Sequence, residues 1–531
     1  MRQFFFFIVI FVIYANSLGN EFVSDDIAGI LYNPNLRDLS SVFTSPLSSF
    51  QSFRPILYYL TNLLFGLSPW AFRITNIFFH FGTVSVLYLI LSLISTPRIA
   101  KISALLFAVH PILTESITWI SGGSYPQYSF FILTSLLFFI LSVKKNTYLY
   151  VSLLFLLLSL STSEKAMIFP LIIIAFIFSY KLRPKNLVSF FLLLIPGGAI
   201  ALIYSSIISV RLEKVLFSYE NQIINPLLQI PIAITSYLQL IFWPIPLTLY
   251  HSEMSFTQTE FAVRFIIFII FIIFIGISFF KNKPVFFWLS FFVISLLPTL
   301  TPFGISWIVA ERYVYLGTIG IIVVCAMAIE KISRILKNEK IAYIITAVLV
   351  ILLSIRTIAR NSDWQNQDTL WIATAKYSPN SPQNHNNLGD MYGRHNDLPK
   401  AAEEFQIAIK LKPDYGDAYH NLAGTYLNMD KTELAIENYR KALSFNPLLW
   451  QSYQNLGAIY FHQNDFSQAE EYFRKAISVN PQNPNLHFNL GVIYLKLNDK
   501  DKARQEFFIT LRLDPQNLSA EQALSETTTP R

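Results

Sequence analysis

A single cysteine, Cys325, lies inside an apolar run, so the chain closes no intrachain disulfide. Charge is scarce too: Asp, Glu, Lys and Arg make up 14% of 531 residues, where soluble domains carry about a quarter. No Gly-rich, phosphate-cradling loop occurs, which argues against a nucleotide donor. Neither the histidines nor the cysteine stand at zinc-ligand spacing. Charged residues do not recur in mid-span as an ion pathway would require, which counts against a transporter. Beyond about residue 361 no apolar run is long enough to cross a bilayer.

What the chain has instead is apolar residues, at 53%, with a mean hydropathy of +0.44. The composition changes near residue 361 to Asn, Gln, Glu, Asp and Lys. A polytopic membrane domain (1–360) is therefore followed by a linker helix or half repeat (361–381), a repeat region (382–516) and a polar tail (517–531) that caps it. The net charge of +7 comes from lysines and arginines beside the apolar runs, so it reads as a topology signal and not a nucleic-acid footprint.

Apolar runs fall at about 4–18, 74–94, 99–113, 128–143, 147–162, 166–180, 187–209, 262–280, 284–300, 313–329 and 341–357, which predicts about eleven spans. The segment 226–250 is broken by Pro231, Pro244 and Pro246. With Arg2 inside, the basic loops at Arg98/Lys101, Lys144-Lys145 and Lys181/Arg183/Lys185 also fall inside. Lys281/Lys283 and 331–340 join them if 226–250 does not fully cross. This predicts an N-terminus inside and the C-terminal domain outside. A signal peptide ending near Ala15 and Ser17 is the alternative for the first run, and it leaves the rest unchanged.

That topology gathers Asp25, Asp26, Arg54, His110, Glu115, Glu164, Glu311 and Arg312 on the outer side. Basic residues defined the inside, but the acidic residues and His110 did not, and they still converge. Paired carboxylates beside hydrocarbon suit a general base, or a divalent cation as the one candidate cofactor. An Arg fork suits a phosphate. A bland assignment competes for each: Asp25-Asp26 as a solvated helix cap, His110-Pro111 and Glu115 as an interfacial cap, Glu164-Lys165 as a neutral pair, and Glu311-Arg312 as a helix-orienting pair.

Pro379, Pro413, Pro447, Pro481 and Pro515 are each 34 residues apart, as are Leu388, Leu422, Leu456 and Leu490. Tyr392, Ala401 and Phe405 begin three more series of that period. This is the tetratricopeptide signature of helix pairs, and it predicts four repeats stacked around a groove that binds a protein partner.

The two halves together resemble the transmembrane and tetratricopeptide-repeat O-mannosyltransferase family, of the C-type glycosyltransferase superfamily. The resemblance rests on Phe22-Val23-Ser24-Asp25-Asp26 with Asn33-Pro34, on Arg54-Pro55, and on His110-Pro111 with Glu115. It also rests on Ser163-Glu164 ahead of Pro170, on Ala310-Glu311-Arg312-Tyr313, and on Asp368-Thr369-Leu370-Trp371. It implies an all-α protein, a helical membrane domain followed by a repeat solenoid. It further implies an inverting glycosyltransferase using a polyprenyl-phosphate sugar, with Asp25 or Asp26 as base and Arg312 at the lipid phosphate. The family reads Lys-Glu where this chain reads Ser163-Glu164-Lys165, so no role carries over to Lys165. Membrane lipid and a protein acceptor are the expected partners, and a bacterial inner membrane with periplasmic repeats is the expected location. The rivals are a non-enzymatic scaffold whose repeats dock partners, and a transferase acting on lipid or polysaccharide.

Overall fold

The structure, a computed structural model, describes residues 2–33, 36, 38–43, 51–181, 195–196, 198–199, 226–249, 251, 257–300 and 309–528. Among these the secondary structure is wholly helical. The chain divides into two compact units, Met1–Ser378 and Pro379–Arg531.

The first unit is built from α1 (Arg2–Tyr14), α2 (Phe53–Phe65), α3 (Pro69–Ile94), α4 (Pro97–Ala108), α5 (Thr114–Thr118), α6 (Ser124–Ser142), α7 (Thr147–Thr162), α8 (Phe169–Tyr180), α9 (Pro226–Phe242), α10 (Gln258–Lys281), α11 (Lys283–Leu296), α12 (Tyr315–Ile335), α13 (Glu339–Ser362) and α14 (Gln367–Tyr377). Starts are set by proline and capping side chains: Pro69 opens α3, Thr96 accepts from the Ile99 N–H ahead of α4, and Thr257 with Glu260 forms a capping box on α10. One apolar core, which includes Phe107, Trp288, Phe292, Tyr315 and Ile319, joins these helices apart from α2 and α14; Tyr58 of α2 packs in a smaller cluster with Phe72 and Ile120. Gly320 lets α12 approach α11 closely, since a Cβ there would meet the Trp288 carbonyl. Helix α10 instead turns Ile266, Ile270, Ile273 and Phe280 outward, as a lipid-facing span does.

Every predicted span other than 187–209, which lies largely outside the described residues, falls on a helix. Among the described residues, five helical segments are long and apolar enough to cross a membrane: Pro69–Ile94, Ile120–Ser142, Gln258–Lys281, Glu311–Ile335 and Glu339–Ser362. A sixth arises if Pro97–Ala108 and Pro111–Thr118, bent by 53° at His110-Pro111, count as one. The remaining apolar helices are shorter; Thr147–Thr162, at 16 residues, rises ~24 Å against a hydrocarbon core of ~30 Å. Helix α9 runs through Pro231 and is also short, with 17 residues. The 19–73 loop holds α2, a helix that the hydropathy pattern does not mark.

The second unit pairs α15 (Pro382–Arg394) with α16 (Leu398–Leu411), α17 (Gly416–Asn428) with α18 (Thr432–Phe445), α19 (Trp450–His462) with α20 (Phe466–Val479), and α21 (Pro484–Lys496) with α22 (Lys500–Leu513); α23 (Leu518–Thr528) closes the row. Asn396, Asp430, Asn464 and Asn498, again one period apart, take left-handed φ of 60–63° between the helices of each pair. Asn and Asp tolerate that conformation, which ends the first helix. Phe405, Phe473 and Phe507 lie against Gly389, Gly457 and Gly491 within their own pairs. Ala520 of α23 is buried.

Candidate functional site

The loop after α1 is pinned before it reaches its carboxylates. Arg73, buried near the start of α3, donates from Nε to the Thr118 carbonyl (2.7 Å), from Nη1 to that of Asn20 (2.7 Å) and from Nη2 to that of Glu21 (2.8 Å). Asn20 donates in turn to the Asn361 carbonyl at 3.0 Å. Ser24 then takes a left-handed φ of 53°, and the turn drives Asp26 inward. Asp26 Oδ1 accepts the Ser121 N–H at 2.8 Å, and Oδ2 accepts that of Val23 at 3.4 Å. Burial pushes the Asp26 carboxyl up to about 6, outweighing the Ser121 hydrogen bonds and the Arg73 charge that oppose it. Asp25, next in the chain, is exposed and makes no bond among the described residues.

The strand of chain that receives Asp26 is itself built for close approach. Asn76 Nδ2 donates to the carbonyls of Ile117, Trp119 and Ile120 at 3.3–3.4 Å. A Cβ on Gly122 would strike the Glu115 carbonyl, and one on Gly123 the Asn76 amide. Trp119 Nε1 donates to the Val23 carbonyl at 3.3 Å, and Tyr58 OH donates to that of Ile120 at 3.0 Å. Arg54 donates from Nε to Tyr58 OH (3.0 Å) and lies 5.0 Å over its ring. Its terminal nitrogens make no bond among the described residues.

Two buried ion pairs sit on the far side of Trp119. Glu115 accepts the Arg312 N–H at 2.8 Å and pairs with the Arg312 guanidinium through Nη1. That guanidinium also lies 5.5 Å from the Trp119 ring and 5.0 Å from Tyr313. Glu311 pairs with Arg360 at 3.1 Å, both side chains fully buried, and Arg360 also reaches Asp363 at 2.9 Å. His251 Nε2 approaches Glu311 at 3.6 Å. Trp364, from the segment expected to lead the repeats, stacks on Trp119 with centroids 5.7 Å apart, inside the membrane unit.

Glu164 accepts from Lys165 Nζ at 3.2 Å and from Gln51 at 3.3 Å. Lys165 lies 5.3 Å over Tyr125, whose ring is 6.2 Å from Tyr313. Asp26, Arg54, Glu115, Glu164 and Arg312 thus belong to one chain of contacts through Tyr58, Trp119, Ser121 and Tyr125, with Asp25 exposed beside Asp26. His110 is spent on the backbone: Nδ1 accepts the Ile112 N–H at 3.3 Å and Nε2 donates to the Ile241 carbonyl at 2.9 Å. It joins α4 to α9 and has no ring nitrogen to spare. Among the described residues no three His, Cys, Asp or Glu side chains converge to hold a metal, because Glu115 and Glu311 are committed to arginines. Sequence reasoning misses Arg73, Asn76 and Arg360; each lies in or at the end of an apolar helix, and an Arg at that depth is the signal that could find two of them.

Tetratricopeptide-repeat models match residues 416–447, 450–483 and 472–505. Over 430 residues the chain is 26% identical to a protein O-mannosyl-transferase of Caenorhabditis elegans, covering 76% of this chain and 61% of that protein. Over 468 residues it is 26% identical to the protein O-mannosyl-transferase TMTC3 of Homo sapiens, covering 76% and 51%. The chain therefore spans between half and two thirds of the length of these curated relatives. Among solved structures, the crystal structure of MamA is similar with a TM-score of 0.26 and 22% identity, covering 28% of this chain and 88% of that one. YrrB, a tetratricopeptide-repeat protein, gives a TM-score of 0.26 at 18% identity, covering 37% and 98%. Repeats at one end and similarity over 76% of the sequence mark the chain as resembling the transmembrane and tetratricopeptide-repeat protein O-mannosyl-transferases.

Proposed function

We propose that this protein is an integral-membrane, inverting glycosyltransferase that moves a sugar from a polyprenyl-phosphate to a protein hydroxyl. The observation that carries the reading is the pairing of an exposed Asp25 with an Asp26 locked to Ser121, in the same contact network as Arg54, Lys165 and Arg312. In this reading Asp25 takes the proton of an acceptor hydroxyl; Asp26 has both oxygens occupied and acts as a positioning residue. As the acceptor oxygen bonds to the anomeric carbon, the bond from that carbon to the phosphate oxygen breaks and the phosphate leaves with the electron pair. Arg54 has charge to offer it, whereas Arg312 is largely neutralised by Glu115 and Lys165 by Glu164.

Helix α13 ends at Ser362, beside Arg360 and the cluster, so we assign the repeats to the cluster's side of the membrane, the periplasmic side in a bacterial cell. There they recruit the acceptor. Mannose is the sugar in the relatives' names, and mannosyl-phosphate polyprenol is the first donor to test. Membranes carrying the protein are incubated with the radiolabelled donor and then digested with protease. Label released as glycopeptide supports the proposal. Label moved to a lipid other than the donor assigns the acceptor to lipid, and label that stays on every polyprenyl-phosphate sugar tried favours the scaffold.

A further inference from the structure

At the end of the membrane unit opposite Asp26, two basic stretches far apart in sequence close around a cavity of about 620 Å³. Volumes of about 300–1,000 Å³ are typical of small-ligand sites. The α3–α4 turn supplies Arg98 and Lys101, and the α12–α13 turn supplies Glu330, Arg334, Lys337 and Glu339. Helix directions fix the location: α12 begins beside Arg312 in the outer cluster and runs 21 residues, ~32 Å, to this turn. The cavity therefore lies about one hydrocarbon thickness from the candidate site.

The charges there are not balanced. Arg98 reaches Glu330 at 3.1 Å and Glu339 at 2.8 Å, and Arg334 Nε meets Glu330 at 3.0 Å. Those contacts use both carboxylates. The ammonium groups of Lys101 and Lys337 make no bond among the described residues, so four cations face two carboxylates. Arg98 Nε is buried without an acceptor. The first turns of α4 and α13 also end here, turning their partial positive ends toward the same space.

We infer that this cavity binds a phosphate group on the face of the membrane opposite the candidate site. An excess of cations and two helix N-termini facing one cavity ask for an oxyanion. Its position at the end of the bundle places a phospholipid headgroup within reach, since anionic lipids are drawn to basic recesses between spans. A soluble phosphate has the same chemistry, and the test separates the two.

Full-length protein in a neutral detergent is titrated with radiolabelled phosphatidylglycerol, with phosphatidylcholine for comparison and inorganic phosphate as competitor. Three proteins are compared: wild type, Lys101→Gln/Lys337→Gln, and Lys144→Gln/Lys145→Gln, which loses the same charge elsewhere on that face. At about fivefold per lysine, the first double variant should bind phosphatidylglycerol about 25-fold more weakly than wild type, and the second should match wild type. Retention against millimolar phosphate assigns the site to lipid; displacement by phosphate at equal concentration assigns it to a soluble anion. Equal phosphatidylglycerol binding by all three proteins, or equal loss in both variants, overturns the inference.

Discussion

Asp26→Asn tests how the loop holding the carboxylate pair is set. The wild-type carboxyl is buried, and its pKa of about 6 stands against an ordinary 3.8. That gap corresponds to ~3 kcal/mol of stability. The sign follows from the direction. A raised acid binds its proton more tightly in the folded protein, so the ionised form opposes folding. The cost is absent below about pH 4, grows as pH rises, and is complete above about pH 6. Asparagine removes the charge and keeps an oxygen for the Ser121 N–H. It sets an amide against the Val23 N–H, a 3.4 Å bond that contributes little. The attraction to Arg73 is also lost, so we expect the variant to be more stable than wild type at pH 8 by ~1–3 kcal/mol. That margin should shrink toward zero between pH 6 and pH 4. Thermal unfolding of both proteins in detergent across pH 4–8 gives it directly. A variant less stable at pH 8, or a margin that widens on acidification, refutes the reasoning and makes the Arg73 attraction the dominant effect.

Arg312→Gln leaves the Glu115 carboxyl buried without its cation, and breaking a buried pair in this way costs ~3–5 kcal/mol; detergent thermostability should fall sharply while Arg312→Lys loses less. Gly122→Ala drives a methyl into the Glu115 carbonyl, so the 115–123 segment must shift; melting temperature should fall and trypsin should cut the outer loop faster. Arg73→Met strips donors from three carbonyls, two of them buried and worth ~1–3 kcal/mol each, and should yield little folded protein.

The repeats were legible because their period is countable, and each repeating residue faces a neighbouring helix. The membrane helices were legible because hydrocarbon admits few residue types. Their lengths were not: the apolar run 99–113 continues past His110-Pro111, where the helix bends by 53° and re-forms as α5, and no hydropathy window registers a bend. The outer cluster was half legible. Adjacent carboxylates and an Arg at a helix start stand out in apolar surroundings, so Asp26, Glu115 and Arg312 were found. Their partners were not, because Arg73 meets backbone carbonyls from separate segments and Arg360 meets Glu311 across 49 positions of chain. His110 was singled out for chemistry, yet it serves the backbone at the bend; its sequence neighbours give no sign of Ile241. Helix α2 was hidden because its apolar residues follow an amphipathic pattern and the loop around it is mixed.

Whether Asp25 activates the acceptor hydroxyl is tested most directly by transfer from a radiolabelled polyprenyl-phosphate sugar, in membranes carrying equal amounts of wild type and Asp25→Asn. The exposed side chain makes Asp25→Asn neutral for folding, and the loss of a general base predicts a fall in transfer of about 10²–10⁴-fold. Transfer by Asp25→Asn at the wild-type rate would contradict the account and remove Asp25 from the mechanism.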